Sequence, residues 1–169
     1  MHPFAALAKS AVEEYIRNGS ILPEPEELSS DLQSTAAAFI CLKSHGDLRG
    51  CIGTFMPAYK NLFYEIVNNS IAAATKDPRF EPVSADELGD IQYTVDVLSE
   101  PEKVEDISEL DPKKYGVIVS KGNNRGLLLP DLEGVNTVEE QLRIAKMKAY
   151  IDPNDDDISI SRFVVQRYK

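Results

Sequence analysis

The chain has no tryptophan, only two histidines and two cysteines, and no apolar run approaching the ~18 residues that would cross a bilayer. Each shortage excludes something. His2 and His45 are too few imidazoles for an ordinary zinc cage, so no metal site is expected, and no motif calls for a cofactor. Cys41 and Cys51 form no Cys-x-x-Cys pair, and no secretory leader or membrane span can be read. The expectation is a cytoplasmic protein in a reducing compartment, with both cysteines as thiols and no disulfide between them. Basic residues number 18 against 28 acidic ones, a formal charge of −10. Such a field repels phosphate backbones, which makes nucleic acid an unfavoured partner.

What is present is an ordinary globular composition, 43% hydrophobic and 27% charged over 169 residues. That length suits a single domain spanning 1–169, with room for a small lobe within it.

The chain is organised around Leu48-Arg49-Gly50-Cys51-Ile52-Gly53. In extended backbone residues two apart share a face, so Arg49 is expected beside Cys51, with Gly50 and Ile52 opposite. A guanidinium beside a thiol depresses its pKa and attracts anions. Cys51 is therefore a candidate nucleophile and Arg49 a candidate stabiliser of its thiolate or of an anionic substrate. Glycine inside a strand marks the close approach of another backbone or a ligand, which makes Gly50 and Gly53 candidate ligand-binding positions. The competing reading is a packed corner around a structural thiol, because free cysteine is among the most buried residue types.

Around this stretch, the spacing of Phe4, Leu7, Ala8, Ala11, Val12, Tyr15 and Ile16 predicts a helix over 4–17 that ends at Asn18-Gly19. The prolines at 23 and 25 place 19–34 in a surface loop. Residues 36–42 are apolar at nearly every position, a central strand, and His45-Gly46-Asp47 turns it back into the motif as a hairpin. Turn length sets the parity. A three-residue turn places Cys41 opposite Cys51, whereas a two- or four-residue turn places Ile40 there. His45 lies roughly 20 Å along the strand from Cys51 and cannot act as its base.

A second helix starts near Tyr59 with Leu62, Phe63, Ile66, Val67 and Ile71 on one side. Asp77-Pro78-Arg79-Phe80 makes a rigid corner, and Ser84 and Glu87 have capping-box spacing. Ile91, Tyr93, Val95 and Val97 alternate as a strand. Residues 100–114 read as peripheral; 115–120 and 126–129 read as a second hairpin. A helix follows from Thr137, then an acidic turn at 152–157, and a closing strand over 158–168 with a bulge near Arg162.

Three separated pieces, Leu48 to Gly53, Asp77-Pro78-Arg79-Phe80 and Arg125-Gly126-Leu127-Leu128-Leu129-Pro130, resemble in order and spacing the AMME-region protein family, the AmmeMemoRadiSam system proteins. The resemblance spans the whole chain. It implies an α+β fold, a mixed β-sheet with flanking helices and a smaller lobe, and partners that are Memo-like and radical S-adenosylmethionine (radical-SAM) proteins. No reaction comes with it. Many members carry a further cysteine in the helix near 137–149, where this chain has Ala145, Lys146 and Met147, so a chemistry using that cysteine is not open to it. Arg49, Arg79 and Arg125 each sit in a glycine- or proline-locked segment of these motifs and are expected to converge on an anion, Arg79 and Arg125 as ligand-binding residues. Two readings follow: a binding or adaptor module, or a thiol-dependent enzyme or carrier using Cys51 and Arg49 on a small anionic substrate.

Overall fold

Helix α1 (Pro3–Asn18) begins where the Phe4 N–H donates to His2 Nδ1, and Pro3 at its first position has no N–H to leave unpaired. It stops at Gly19, whose φ of 70° only glycine adopts freely. In chain order there follow α2 (Ser30–Gln33), β1 (Ala38–Ser44), β2 (Asp47–Gly53), α3 (Leu62–Thr75), a 3₁₀ turn (Ala85–Asp90) and β3 (Ile91–Leu98). Then come β4 (Glu102–Val104), β5 (Gly116–Lys121), β6 (Asn124–Leu128), α4 (Val138–Lys148), β7 (Ser159–Phe163) and β8 (Val165–Tyr168). This computed structural model describes every residue from Met1 to Lys169. No helix in it is long and apolar enough to cross a membrane.

The chain divides into two units, Met1–Val97 with Gln166–Lys169, and Leu98–Val165. The α+β class expected from the sequence is the one observed, but the strands are shared between two four-stranded sheets, in the orders β2-β1-β3-β8 and β4-β7-β5-β6.

In the first unit β1 is central, paired antiparallel with both β2 and β3. Its alternate residues Ala38, Ile40 and Leu42 are fully buried and share a core with Val12, Ile66, Ala73 and Val95. Burying the Ile40 or Leu42 side chain contributes about 1.5–3 kcal/mol, and the Ala38 methyl about 0.8 kcal/mol. Phe39, Cys41 and Lys43 take the other face, by the period of two.

In the second unit the β5–β6 hairpin packs on α4 around Val117, Val119, Leu128, Leu142 and Ala145. The Thr137 hydroxyl caps α4 by accepting the Glu140 N–H at 3.1 Å. Two expectations change here. The peripheral stretch contributes β4, which pairs with β7, and the closing strand is broken at Val164 so that β7 and β8 join different sheets.

Candidate functional site

The β1–β2 hairpin turns through His45 and Gly46, both at positive φ (52° and 92°), the pattern of a two-residue primed turn. Ser44 faces Asp47 and Lys43 faces Leu48, but Leu42 faces Gly50, so Arg49 is an extra residue bulged out of the ladder. A two-residue turn alone would have set Ile40 against Cys51. The bulge shifts the register by one and sets Cys41 there.

Cys41 and Cys51 are joined by a disulfide, with their Cα atoms 4.2 Å apart. This overturns the expectation of two thiols, and Cys51 presents no free nucleophile. Compartment was a weak guide because pairing is a local matter of register. The outward Cys51 N–H bonds elsewhere, to Asp77, which marks the closer type of antiparallel pair, where facing side chains nearly touch.

The bulge also removes Arg49 from the alternation that was to place it beside the thiol. Its Nε and Nη2 donate to the two carboxylate oxygens of Glu87 at 2.7 and 3.1 Å, and Nη1 donates to the Glu81 carbonyl at 2.9 Å. Glu87 is held twice, since it also closes the capping box by accepting the Ser84 N–H at 2.8 Å. The guanidinium, with the Ser84 N–H second, lowers the Glu87 carboxyl to about 2.

Because β2 is an edge strand, its outward backbone groups need partners. The corner after α3 supplies them. Asp77 Oδ2 accepts the Cys51 N–H at 2.8 Å, and Arg79 Nη2 donates to the Cys51 carbonyl at 3.4 Å. Arg79 clamps Asp77 through Nε at 2.9 Å and Nη2 at 2.7 Å, and the Arg79 N–H adds a third bond at 3.1 Å. The Asp77 side chain is 2% exposed. Arg79 holds its carboxyl well below the usual range, burial opposes this, and the Cys51 N–H assists. Phe80 carries both cations, the Arg49 and Arg79 guanidinium carbons lying 5.9 and 5.5 Å from its ring centre.

This first-unit cluster therefore joins Arg49, Cys51 and Arg79 with Asp77, Phe80 and Glu87. Arg125 belongs to the second unit, on β6, where it precedes a glycine much as Arg49 does. A Cβ on Gly50 would strike the Ala73 carbonyl of α3, one on Gly126 would strike the Ala145 carbonyl of α4, and one on Gly53 would strike the Phe39 ring. The close approach read from Gly50 and Gly53 is thus made by the protein's own helix and ring.

Between β2 and α3, the fully buried Glu65 accepts the N–H groups of Ala58 at 3.0 Å and Tyr59 at 3.1 Å, together with the Thr54 hydroxyl. Asn69 bridges Glu65 to the Ala38 carbonyl at 3.3 and 3.0 Å. Asn61 caps α3 by accepting the Tyr64 N–H at 3.1 Å. The loop so fixed exposes Phe55, Met56 and Tyr59. Sequence reasoning passed over Asp77, Glu65 and the second role of Glu87. The capping-box spacing already pointed at Glu87, and an acid two residues before Arg79 in a proline turn pointed at Asp77; for Glu65 the only trace was a carboxylate in the first turn of a helix.

A family model described as AMMECR1 matches residues 5–168. A Thermotoga maritima protein is 59% identical over 170 residues, covering 99% of this chain and 98% of the relative. A Clostridium acetobutylicum protein is 49% identical over 169 residues, and there this chain spans only 36% of the relative's length. The crystal structure of an uncharacterized protein from Pyrococcus horikoshii superposes with a TM-score of 0.89 at 31% identity, covering 97% of this chain and 88% of that one.

Proposed function

The chain belongs to the AMMECR1 family, and from that premise we propose that it is a binding or adaptor module that works in the cytoplasm with Memo-like and radical-SAM proteins. One observation carries the reading: the charged groups of the central motif are spent inside the fold, Arg49 on Glu87 and Glu81, Arg79 on Asp77 and Cys51. Bonds that satisfy a strand edge and lock a corner make a rigid platform rather than a vacant catalytic constellation. The platform's protein-facing part is the Glu65-tethered loop, whose Phe55, Met56 and Tyr59 are 40, 56 and 41% exposed, the residue types that anchor protein interfaces. A relative nearly three times as long, of which this domain is one part, supports a role beside other protein modules.

The alternative, a thiol-dependent enzyme or carrier using Cys51 and Arg49 on a small anionic substrate with Gly50, Gly53, Arg79 and Arg125 as ligands, needs a free Cys51 thiolate with Arg49 beside it. The two readings separate in one experiment. Calorimetric titration of this chain with the Memo-like and radical-SAM proteins of its own genome should give saturable binding that Phe55→Ser/Met56→Ser abolishes and Cys51→Ala preserves. Binding indifferent to the loop double variant, or its loss in Cys51→Ala at unchanged stability, overturns the adaptor reading.

A further inference from the structure

On the sheet face that Cys41 and Lys43 share lies a cleft of about 640 Å³ within the first unit. Strand pairing builds its floor, because β3 sets Thr94 against Cys41 and Gln92 against Lys43. Its lining includes the side chains of Lys43, Arg167 and Lys169 and no acidic side chain, in a chain whose formal charge is −10. Arg167 is anchored there by two 2.7 Å bonds to the buried Asp96. Half-buried Cys41, one end of the disulfide, thus lines a recess that also holds Lys43 and Lys169.

That disulfide is not what holds its hairpin together. β1 is bonded to strands on both sides, and the Cys51 backbone is gripped by Asp77 and Arg79. The bond closes a loop of only 10 residues, near the small end of the chain-entropy effect of a cross-link. Opening the pair removes none of these hydrogen bonds, and a partly exposed disulfide that opens without unfolding is the exchangeable kind.

We infer that Cys41 and Cys51 form a thiol–disulfide exchange site whose substrate is an anionic low-molecular-weight thiol seated in the cleft at Cys41. The incoming thiolate attacks Cys41 Sγ. The electron pair of the Cys41–Cys51 bond leaves with Cys51, whose thiolate takes a proton from solvent, and a mixed disulfide remains on Cys41. A second thiolate attacks the external sulfur of that mixed disulfide, releasing a small-molecule disulfide and the Cys41 thiolate, which is protonated in turn. Two external thiols are oxidised and one protein disulfide is reduced, and the reverse course oxidises the pair. Lys43 and Lys169 draw the carboxylates of the small thiol into the recess, while a neutral thiol gains nothing from them.

The test uses the intact chain with glutathione as the anionic thiol and 2-mercaptoethanol as the neutral one. Opening of the native disulfide is followed by maleimide mass-tagging, each rate being scaled to that thiol's rate on a small reference disulfide. Exchange is expected without denaturant, with a preference for glutathione that falls about fivefold in Lys43→Glu and shrinks as salt is raised. In Cys51→Ser, glutathione disulfide should leave one adduct, on Cys41. A bond that resists glutathione until the protein is unfolded, an absent adduct in folded Cys51→Ser, or a glutathione preference unmoved by Lys43→Glu overturns the proposal. Should Cys51→Ser fail to fold, the Lys43→Glu comparison in the otherwise unaltered chain decides alone.

Discussion

Asp77 reaches from the corner after α3 to accept the edge N–H of Cys51 at 2.8 Å, so two segments 26 residues apart in sequence become one structural unit. Removing that carboxylate leaves the Cys51 N–H unpaired against protein and the Arg79 guanidinium without its clamp. Asp77→Ala is expected to cost about 3 kcal/mol, read from the urea midpoint at unchanged slope. Arg79→Ala should cost less, because Asp77 keeps the N–H groups of Cys51 and residue 79 and the Arg79 side chain is already 54% exposed. The reverse order would show that the ion pair, not the strand-edge bond, secures the corner.

Acid should weaken the same corner. A carboxyl whose pKa is depressed by folding contributes stability above its unfolded value and loses it as pH falls through its folded value. For Glu87 that window runs from its ordinary 4.5 down to about 2, and Asp77, depressed further, extends it downward. Melting temperature is expected to fall as pH drops from 4.5 to 2. In Glu87→Gln and in Arg49→Ala the fall should be shallower, because the stabilised carboxylate or its cation is gone; an unchanged pH profile would remove Arg49–Glu87 from the account.

The two motif glycines should differ in their tolerance. Gly50→Ala forces a methyl against a backbone carbonyl of α3, which can yield only if the helix shifts, at about 2–3 kcal/mol. Gly53→Ala meets the Phe39 ring, a side chain able to turn aside, and should cost less. Equal losses measured by denaturant melts would mean that the ring is as fixed as the helix.

Glu65→Gln tests the loop tether. Both loop N–H groups use one oxygen of Glu65, so an amide that keeps them turns its NH2 toward the Thr54 hydroxyl and the Asn69 amide, which donate to the other oxygen. The expected result is a loss of about 1–3 kcal/mol, with faster hydrogen exchange concentrated in residues 54–60. Exchange that rises evenly over the chain would point to global destabilisation instead of a local tether.

Much of this molecule follows from local sequence. The apolar stripe of α1 and its Gly19 stop, the Thr137 and Ser84 caps, the alternation of β3 and both hairpins depend on interactions between residues a few positions apart, and all are present where the pattern puts them. The Leu48 to Gly53 stretch is the returning strand of a hairpin as the turn signal predicts, and the structure makes it an edge of the first sheet. Its chemistry was not legible, for one physical reason. Turn length predicts register only in an unbroken ladder, and the bulge at Arg49 is set by packing: Gly50 must sit under the Ala73 carbonyl while Arg49 swings to Glu87. That single inserted residue turned the Arg49 side chain away from Cys51 and brought Cys41 across to it. In the same way, an arginine in a chain with 28 acidic residues has no partner specified by sequence, since Glu87 lies 38 positions from Arg49. Sequence determined most helices, strands and turns, though not α2, β4 or the break at Val164; tertiary structure decided which side chains met, because contacts between distant segments depend on register and packing that no local pattern encodes.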